Sequence, residues 1–179
     1  MKKIALLQSG IDIAPMHKAI DAHPELWNQN PQRTANENSP HYGLSDIWAR
    51  FCAPGVDGSM PHESMWYPCA EVLPIRELVY PLMAAYQGDQ LGGVLITKIP
   101  AGKECKPHID PGWHARHYKK FAIQIAASEG QQFCFESESL ASKPGDLFYF
   151  DNSFNHWVTN PTVYDRITAI ICIKTDMEF

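Results

Sequence analysis

The pattern of apolar and polar positions changes near residue 90. Beyond it, short runs rich in β-branched and aromatic residues recur: Val94–Ile99, Glu104–Asp110, Phe121–Ala126, Gln132–Glu136, Leu147–Phe150, His156–Thr159 and Arg166–Lys174. They are separated by Pro100-Ala101-Gly102, Asp110-Pro111-Gly112, Glu129-Gly130, Pro144-Gly145 and Asn160-Pro161. Glycine enters left-handed backbone conformations at little cost, and proline presets φ while lacking a donor, so these are turn signals. Many short strands with frequent turns predict a mainly β fold, a sandwich or barrel.

Before residue 90 one segment has a clear helical period. Ile75, Leu78, Val79, Leu82, Met83 and Tyr86 fall on one continuous face. Pro74 suits the first turn and Gly88 the position past the end, while Pro81 removes a backbone donor and predicts a kink. We read this helix as a brace packed outside a sheet. Ile4 to Leu7 reads as a short strand, and Asp12 as the cap of a helix running to Ala22, with Pro15 in its first turn. Asn28 to Pro40 reads as loop. Tyr42 to Phe51 fits a strand better than a short helix. Ala53 to Pro68 is a long irregular loop, either a surface excursion or a lid or wall of a binding site. The expected organisation is one domain over residues 1–179, with N-terminal α/β additions and the bracing helix in 1–90 and the β core in 91–176.

A chain of 179 residues can bury one substantial core, and 45% hydrophobic and 20% charged residues are ordinary for a globular domain. A net charge of -5 gives no basic surface for nucleic acid. Cys52, Cys69, Cys105, Cys134 and Cys172 are odd in number and contain no C-x-x-C pair, so reduced thiols are expected rather than a zinc ribbon or disulfide framework. The apolar run after Lys2-Lys3 ends after four residues, short of the roughly 7–15 of a secretory segment. No run approaches the roughly 18 residues of a membrane span. A cytoplasmic protein with a small-molecule or peptide substrate, and no membrane or nucleic-acid partner, is the expectation.

Candidate chemistry concentrates between Pro107 and Arg166. His108-Ile109-Asp110 places an imidazole and a carboxylate two residues apart, on the same side of an extended chain. His156 lies in a second short strand. Two histidines and one carboxylate, with other positions open, form the metal face of non-haem Fe(II) oxygenases. Alternation puts Arg166, Thr168, Ile170 and Cys172 on one face of the last strand. An arginine opening so apolar a strand needs an anion: a co-substrate carboxylate such as that of 2-oxoglutarate, which a guanidinium can grip in bidentate fashion, or internally Asp165 or Asp151. Thr97 can add a hydroxyl to the same carboxylate. His114 and His117 read as part of a substrate-facing or solvent loop, with metal ligation the lesser option. His17, His23, His41 and His62 read as structural or exposed. Trp113, Trp157, Phe135 and Tyr149 are either apolar walls of a site or plain core.

The spacing Gly102 … His108-x-Asp110 … Pro144-Gly145 … His156 … Asn160 echoes the two motifs of cupin barrels, with Asp110 where cupins usually have histidine. More of the chain, from Ile99-Pro-Ala-Gly102 through His108-Ile-Asp110 and Gly145-Asp-Leu-Phe-Tyr-Phe-Asp151 to His156 and Asp165-Arg166-Ile167, resembles the aspartyl/asparaginyl β-hydroxylase family. Trp27, Arg33 and Ile47-Trp48-Ala49-Arg50 extend the likeness upstream. The resemblance implies a double-stranded β-helix and an enzyme using Fe(II), 2-oxoglutarate and O2 to hydroxylate an amino acid or peptidyl side chain. By position it implies iron ligands at His108, Asp110 and His156, Arg166 on the 2-oxoglutarate C5 carboxylate, and Thr97 where the family has a serine. The family's R-x-H before the Phe121 strand is replaced by Tyr118-Lys119-Lys120, so Lys120 is the candidate for the C1 carboxylate. Two other readings are a cupin-type metalloenzyme that does not use 2-oxoglutarate, and a non-catalytic barrel that binds a metal or small molecule.

Overall fold

The computed structural model describes residues 2–179. In chain order the main elements are β1 (Ile4–Gln8), α1 (Ala14–Ala22), β2 (Ser45–Cys52), β3 (Ser64–Trp66), α2 (Ile75–Ala85), β4 (Gln90–Ile99), β5 (Glu104–His108) and α3 (Gly112–His117). They continue with β6 (Lys119–Ala126), β7 (Gln132–Phe135), β8 (Ser139–Leu140), β9 (Leu147–Phe150), β10 (His156–Thr159) and β11 (Arg166–Lys174). Two antiparallel sheets result, one ordered β1-β9-β6-β11-β4-β2-β3 and the other β5-β10-β7-β8. This is the double-stranded β-helix expected from the strand and turn pattern.

The alternation in β11 explains the layering. Ile167, Ala169, Ile171 and Ile173 are buried on the outer face of the large sheet, against the helices. Ile75, Val79 and Leu82 of α2 join them, with Met16 and Ile20 of α1, so α2 is the outer brace. The opposite side chains, Arg166, Thr168, Ile170 and Cys172, face the space between the sheets. A second apolar cluster of Ile99, Cys105, Phe133, Phe135, Phe148, Phe150 and Val158 fills part of that space. The polar positions among these strands therefore mark where the interior is not simply core.

Segments upstream of residue 90 enter the same sheet. β2 lies between β4 and β3, and β1 extends the other edge through β9. α1 begins at Ala14; Asp12 stands one residue before its N-cap position, yet its Oδ1 accepts from Ala14 N at 3.0 Å. α2 runs through Pro81 to Ala85. At its end Gln87, with φ of 49°, takes the left-handed position expected of Gly88, while Gly88 N donates to Met83 O at 2.8 Å. Gly88 is required for closeness instead: a Cβ there would stand 2.7 Å from Ile173 and Met83.

Several expectations need correction. Residues 112–117 form a short helix, not a loop, because the extended Pro111 hands over to Gly112 at φ of 90° and the chain then coils for six residues. β5 stops at His108 rather than Asp110, since the Asp110 N–H leaves the ladder and donates to Asn152 O at 3.2 Å. The 53–68 loop ends in β3, which pairs with β2. The short β8 had no pattern long enough to read. All five cysteines are free and buried. Among the described residues no helix is long and apolar enough to cross a membrane.

Candidate metal centre

Register brings the two histidines together. In the small sheet His156 on β10 stands opposite His108 on β5 and, on its other side, opposite Phe135 on β7. The His108 and His156 rings lie 4.4 Å apart between centroids. Asp110, just past β5, is held by its N–H bond to Asn152 O, and its Oδ1 lies 3.5 Å from His108 Nε2. One ligand atom from each of His108, Asp110 and His156 falls within 4.8 Å of the others. Two ligand atoms about 2.1 Å from one ion and about 90° apart are separated by about 3 Å, so small rotations of these side chains suffice.

The backbone also selects the useful tautomer. His108 Nδ1 bonds Lys106 O at 2.7 Å and His156 Nδ1 bonds Phe154 O at 2.9 Å. A carbonyl accepts only, so each Nδ1 carries its proton and Nε2 is the nitrogen left to ligate, in His108 once it gives up the proton shared with Asp110. Phe133 stacks parallel to His156 at 5.6 Å and fixes its ring.

Electrostatics complete the donor set. Burial pushes the Asp110 carboxyl up, but the Lys120 charge and the bond from His108 hold it well below the usual carboxylate range. Burial lowers His156. Burial also lowers His108, but hydrogen bonds to Asp110 and Cys105 outweigh it and lift His108 to about 10. Ligation needs a neutral His108, so a bound cation would displace the proton that it shares with Asp110. Two neutral imidazole nitrogens and one ionised carboxylate suit Fe(II).

Lys120, on the interior face of β6, places Nζ 3.5 Å from Asp110 Oδ2 and is 12% exposed. Deeper in, Arg166 is 1% exposed. Its Nη2 donates to Ser142 Oγ at 3.0 Å, and its Nη1 has no partner among the described residues. Neither internal anion considered from the sequence serves it. Asp165 Oδ1 accepts from Ala101 N, and Asp151 Oδ1 accepts from Ser153. Burial without a matching negative charge brings Arg166 down to about 10. An orphaned, buried guanidinium is the feature that an incoming carboxylate would satisfy.

Thr97 shares this interior: it pairs with Thr168, as Ile99 pairs with Arg166. Its hydroxyl is already engaged, donating to Asp46 Oδ1 at 2.9 Å and accepting from Arg33 Nη2 at 2.8 Å. The hydroxyl in contact with Arg166 is that of Ser142, a residue not singled out from the sequence. Arg33 binds both Asp46 oxygens, at 2.5 and 2.9 Å, and its Nη1 lies 3.0 Å from His41 Nε2. His41 in turn lies 4.9 Å from the His108 ring, and burial with the nearby Arg33 charge drives it down to about 2. His41 is thus a neutral wall of the site, not the structural or exposed histidine expected. Only long-range pairing could have found it.

His114 is engaged elsewhere: its Nε2 accepts from Gly93 N at 3.1 Å. His117 bonds Gln90 near the surface. Of the aromatic candidates, Phe135 lies 5.9 Å from His156, whereas Tyr149 stacks on Phe179 outside the sheet. Asp110 also borders a cavity of about 630 Å³ between α3, residues 151–153 and the C-terminal residues 174–179.

A double-stranded β-helix with two histidines and a carboxylate grouped closely enough to hold a metal ion is the architecture shared by cupins and 2-oxoglutarate oxygenases. A family model for aspartyl/asparaginyl β-hydroxylase matches residues 21–175. The chain belongs to that family. No curated protein matches the sequence. Among solved structures, an oxidoreductase of the 2OG-Fe(II) oxygenase family from Burkholderia pseudomallei has a TM-score of 0.64 at 13% identity, covering 96% of this chain and 84% of its own. The viral collagen prolyl hydroxylase of Paramecium bursaria Chlorella virus-1, solved as a 2OG complex, has a TM-score of 0.58 at 12% identity and 97% coverage of both chains. A Pseudomonas putida prolyl-4-hydroxylase has a TM-score of 0.55 at 10% identity, covering 98% and 94%. At such identities these likenesses concern the fold.

Proposed function

We propose that the protein is an Fe(II)- and 2-oxoglutarate-dependent hydroxylase acting on an unactivated C–H bond of an amino acid or peptidyl side chain. The observation that carries this reading is the pairing of the His108–Asp110–His156 face with Arg166, a buried cation whose Nη1 has no partner. A metal-binding barrel that does not use 2-oxoglutarate gives no reason to bury that charge, so the cupin-type and non-catalytic readings are less well supported.

In this proposal His108 Nε2, His156 Nε2 and Asp110 hold the iron, which supplies the chemistry coupling oxidative decarboxylation of 2-oxoglutarate by O2 to hydroxylation. Arg166 takes the C5 carboxylate through Nη1 while Ser142 holds Nη2 in place. Thr97 shapes the same wall, and a contact to that carboxylate would require its hydroxyl to turn from Asp46. Lys120 Nζ, beside Asp110, offers the positive charge for the C1 carboxylate. The interior holds the buried Arg166 and the partly buried Arg33 and Lys120 against Asp46 and Asp110. A divalent cation adds to this positive surplus, and a dianionic co-substrate offsets it. Phe133, Phe135 and Phe150 pack around the His156 ring and shield it from water. The test is incubation with Fe(II), 2-oxoglutarate, O2 and a panel of free and peptidyl proline, aspartate and asparagine, read by mass spectrometry. Gain of one oxygen with matched succinate supports the reading; no succinate from iron-loaded protein contradicts it.

A further inference from the structure

His108 belongs to two groups of candidate metal ligands, and only one of them contains Asp110 and His156. In the other, one ligand atom from each of His41, Cys105 and His108 falls within 4.8 Å of the others. Backbone contacts set all three in place. Cys105 and His108 share β5, where Cys105 is buried opposite Val158 of β10. Between them Lys106 N donates to Pro40 O at 3.0 Å, which ties the segment carrying His41 to β5. Leu44 N donates to His41 O at 3.1 Å, and Leu44 packs in the same apolar cluster as Cys105. The His41 ring meets the His108 ring edge-on at 4.9 Å, and Cys105 Sγ lies 4.0 Å from His108 Nδ1. Sulfur and nitrogen bound to one tetrahedral ion, at about 2.3 and 2.1 Å, stand about 3.6 Å apart. This pair therefore closes on an ion with a shift of about half an ångström.

The donor types select a different ion from the one suited to the iron face. A thiolate with two imidazoles favours thiophilic cations such as Zn(II) and Cd(II), whereas two imidazoles and a carboxylate suit Fe(II). The two sites also use opposite nitrogens of one ring. His108 Nδ1 lies beside Cys105 and bonds Lys106 O, while Nε2 lies 3.5 Å from Asp110 Oδ1. Iron takes Nε2 and leaves the proton on Nδ1; an ion beside Cys105 takes Nδ1 and leaves the proton on Nε2, shared with Asp110. As the metal–sulfur and metal–nitrogen bonds form, the Cys105 thiol proton and the His108 Nδ1 proton pass to solvent, with no change of oxidation state. His41 Nε2 accepts from Arg33 Nη1, so ligation through that nitrogen exchanges one bond, and Arg33 keeps both contacts to Asp46.

We propose that His41, Cys105 and His108 Nδ1 form a second metal site, for a thiophilic divalent cation, and that its occupation excludes iron because both ions need the His108 ring. The cation binds without 2-oxoglutarate, so the site stands apart from the hydroxylase reading. Anaerobic titration of the iron-free full chain with Cd(II), in the presence of a phosphine reductant, reads the ultraviolet thiolate-to-cadmium charge-transfer band. The band should reach the intensity of one cadmium–thiolate bond, vanish in Cys105→Ser and survive in Cys69→Ser and Cys134→Ser. In His41→Phe it should need roughly tenfold more Cd(II) or beyond. Cadmium X-ray absorption of the unaltered chain should show one sulfur neighbour, a readout that does not depend on any variant folding. Fe(II) added first should raise the half-saturating Cd(II) by roughly tenfold or more, as one shared ligand requires. No band, no sulfur neighbour, a band that persists without Cys105, or wild-type affinity in His41→Phe would overturn the site. Equal Cd(II) affinity with and without retained Fe(II) would overturn the exclusion. Failure to retain Fe(II), measured on the same samples, would instead sink the iron reading.

Discussion

Replacing Arg166 by methionine separates the co-substrate reading from a purely structural role. The guanidinium is 1% exposed, bonded through Nη2 to Ser142, and free at Nη1. If it grips the C5 carboxylate, the variant loses charge-assisted bonds of roughly 1.5–3 kcal/mol each and leaves the carboxylate unpaired, at a total of roughly 3–5 kcal/mol. At 1.4 kcal/mol per tenfold, the dissociation constant of 2-oxoglutarate rises by roughly a hundredfold to a few thousandfold. The fold should not suffer equally. Burial brings Arg166 down to about 10, below its ordinary value, so the folded state disfavours its cation and carries that cost at every pH below about 10. Methionine removes the cost. Thermal unfolding of metal-loaded, anaerobic protein measures both effects. At a hundredfold excess over its dissociation constant, 2-oxoglutarate adds about 2.7 kcal/mol, and Tm rises by roughly 5–10 °C for a chain of this size. The methionine variant should begin with an equal or higher Tm and show almost no rise. A rise equal to that of the wild type would refute the assignment, and a collapse of the variant without ligand would show that Arg166 is structural.

Further outcomes follow from other contacts. Asp110→Ala and His156→Ala should each abolish tight Fe(II) binding, checked by metal retention after gel filtration, while circular dichroism stays β-like. His114 is half-buried, accepts from Gly93 N, and is pushed down to about 3 mainly by its partial loss of solvent. Its neutral form therefore stabilises the fold above the unfolded value near 6.5, and this is lost as pH falls towards 3. The unfolding free energy from urea titration should drop between pH 7 and 4.5 by about 2 kcal/mol more in the wild type than in His114→Phe. Tyr149 is pushed up to about 12 by burial, so its contribution is full below pH 10 and fades as pH rises towards 12. Tyr149→Phe should make the chain more resistant to alkaline unfolding, read as Tm at pH 11. Gly145 sits at φ of 85°, and a Cβ there would stand 2.7 Å from Ile11 O. Gly145→Ala should cost roughly 1–3 kcal/mol in chemical denaturation, since strain and the backbone clash coincide.

What could be read in the sequence is what depends on local period and spacing. β11 shows its two faces as a strict alternation, and β4 and β9 as apolar runs bounded by turns, so the strands were legible from pattern although their order in the sheets was not. The grouping of His108, Asp110 and His156 was legible because two of them are two residues apart. What escaped depends on contacts across long stretches of chain. His41 reaches His108 from an irregular segment without period. Ser142 meets Arg166 from beside a two-residue strand. The Thr97 hydroxyl looked free because its partners, Arg33 and Asp46, lie 64 and 51 residues away. The helix at 112–117 was misread because six residues beginning with glycine carry too little apolar period to show a face.

The central claim is that His108, Asp110 and His156 would hold Fe(II), and that Arg166 would hold the C5 carboxylate of 2-oxoglutarate beside it. Anaerobic titration of the protein with Fe(II) and then 2-oxoglutarate, followed by visible absorption, tests it most directly. The account predicts a weak charge-transfer band that saturates at one equivalent of each, vanishes in Asp110→Ala and His156→Ala, and needs far more 2-oxoglutarate in Arg166→Met. Correctly folded wild-type protein that shows no band, or a band unchanged in those variants, would contradict it.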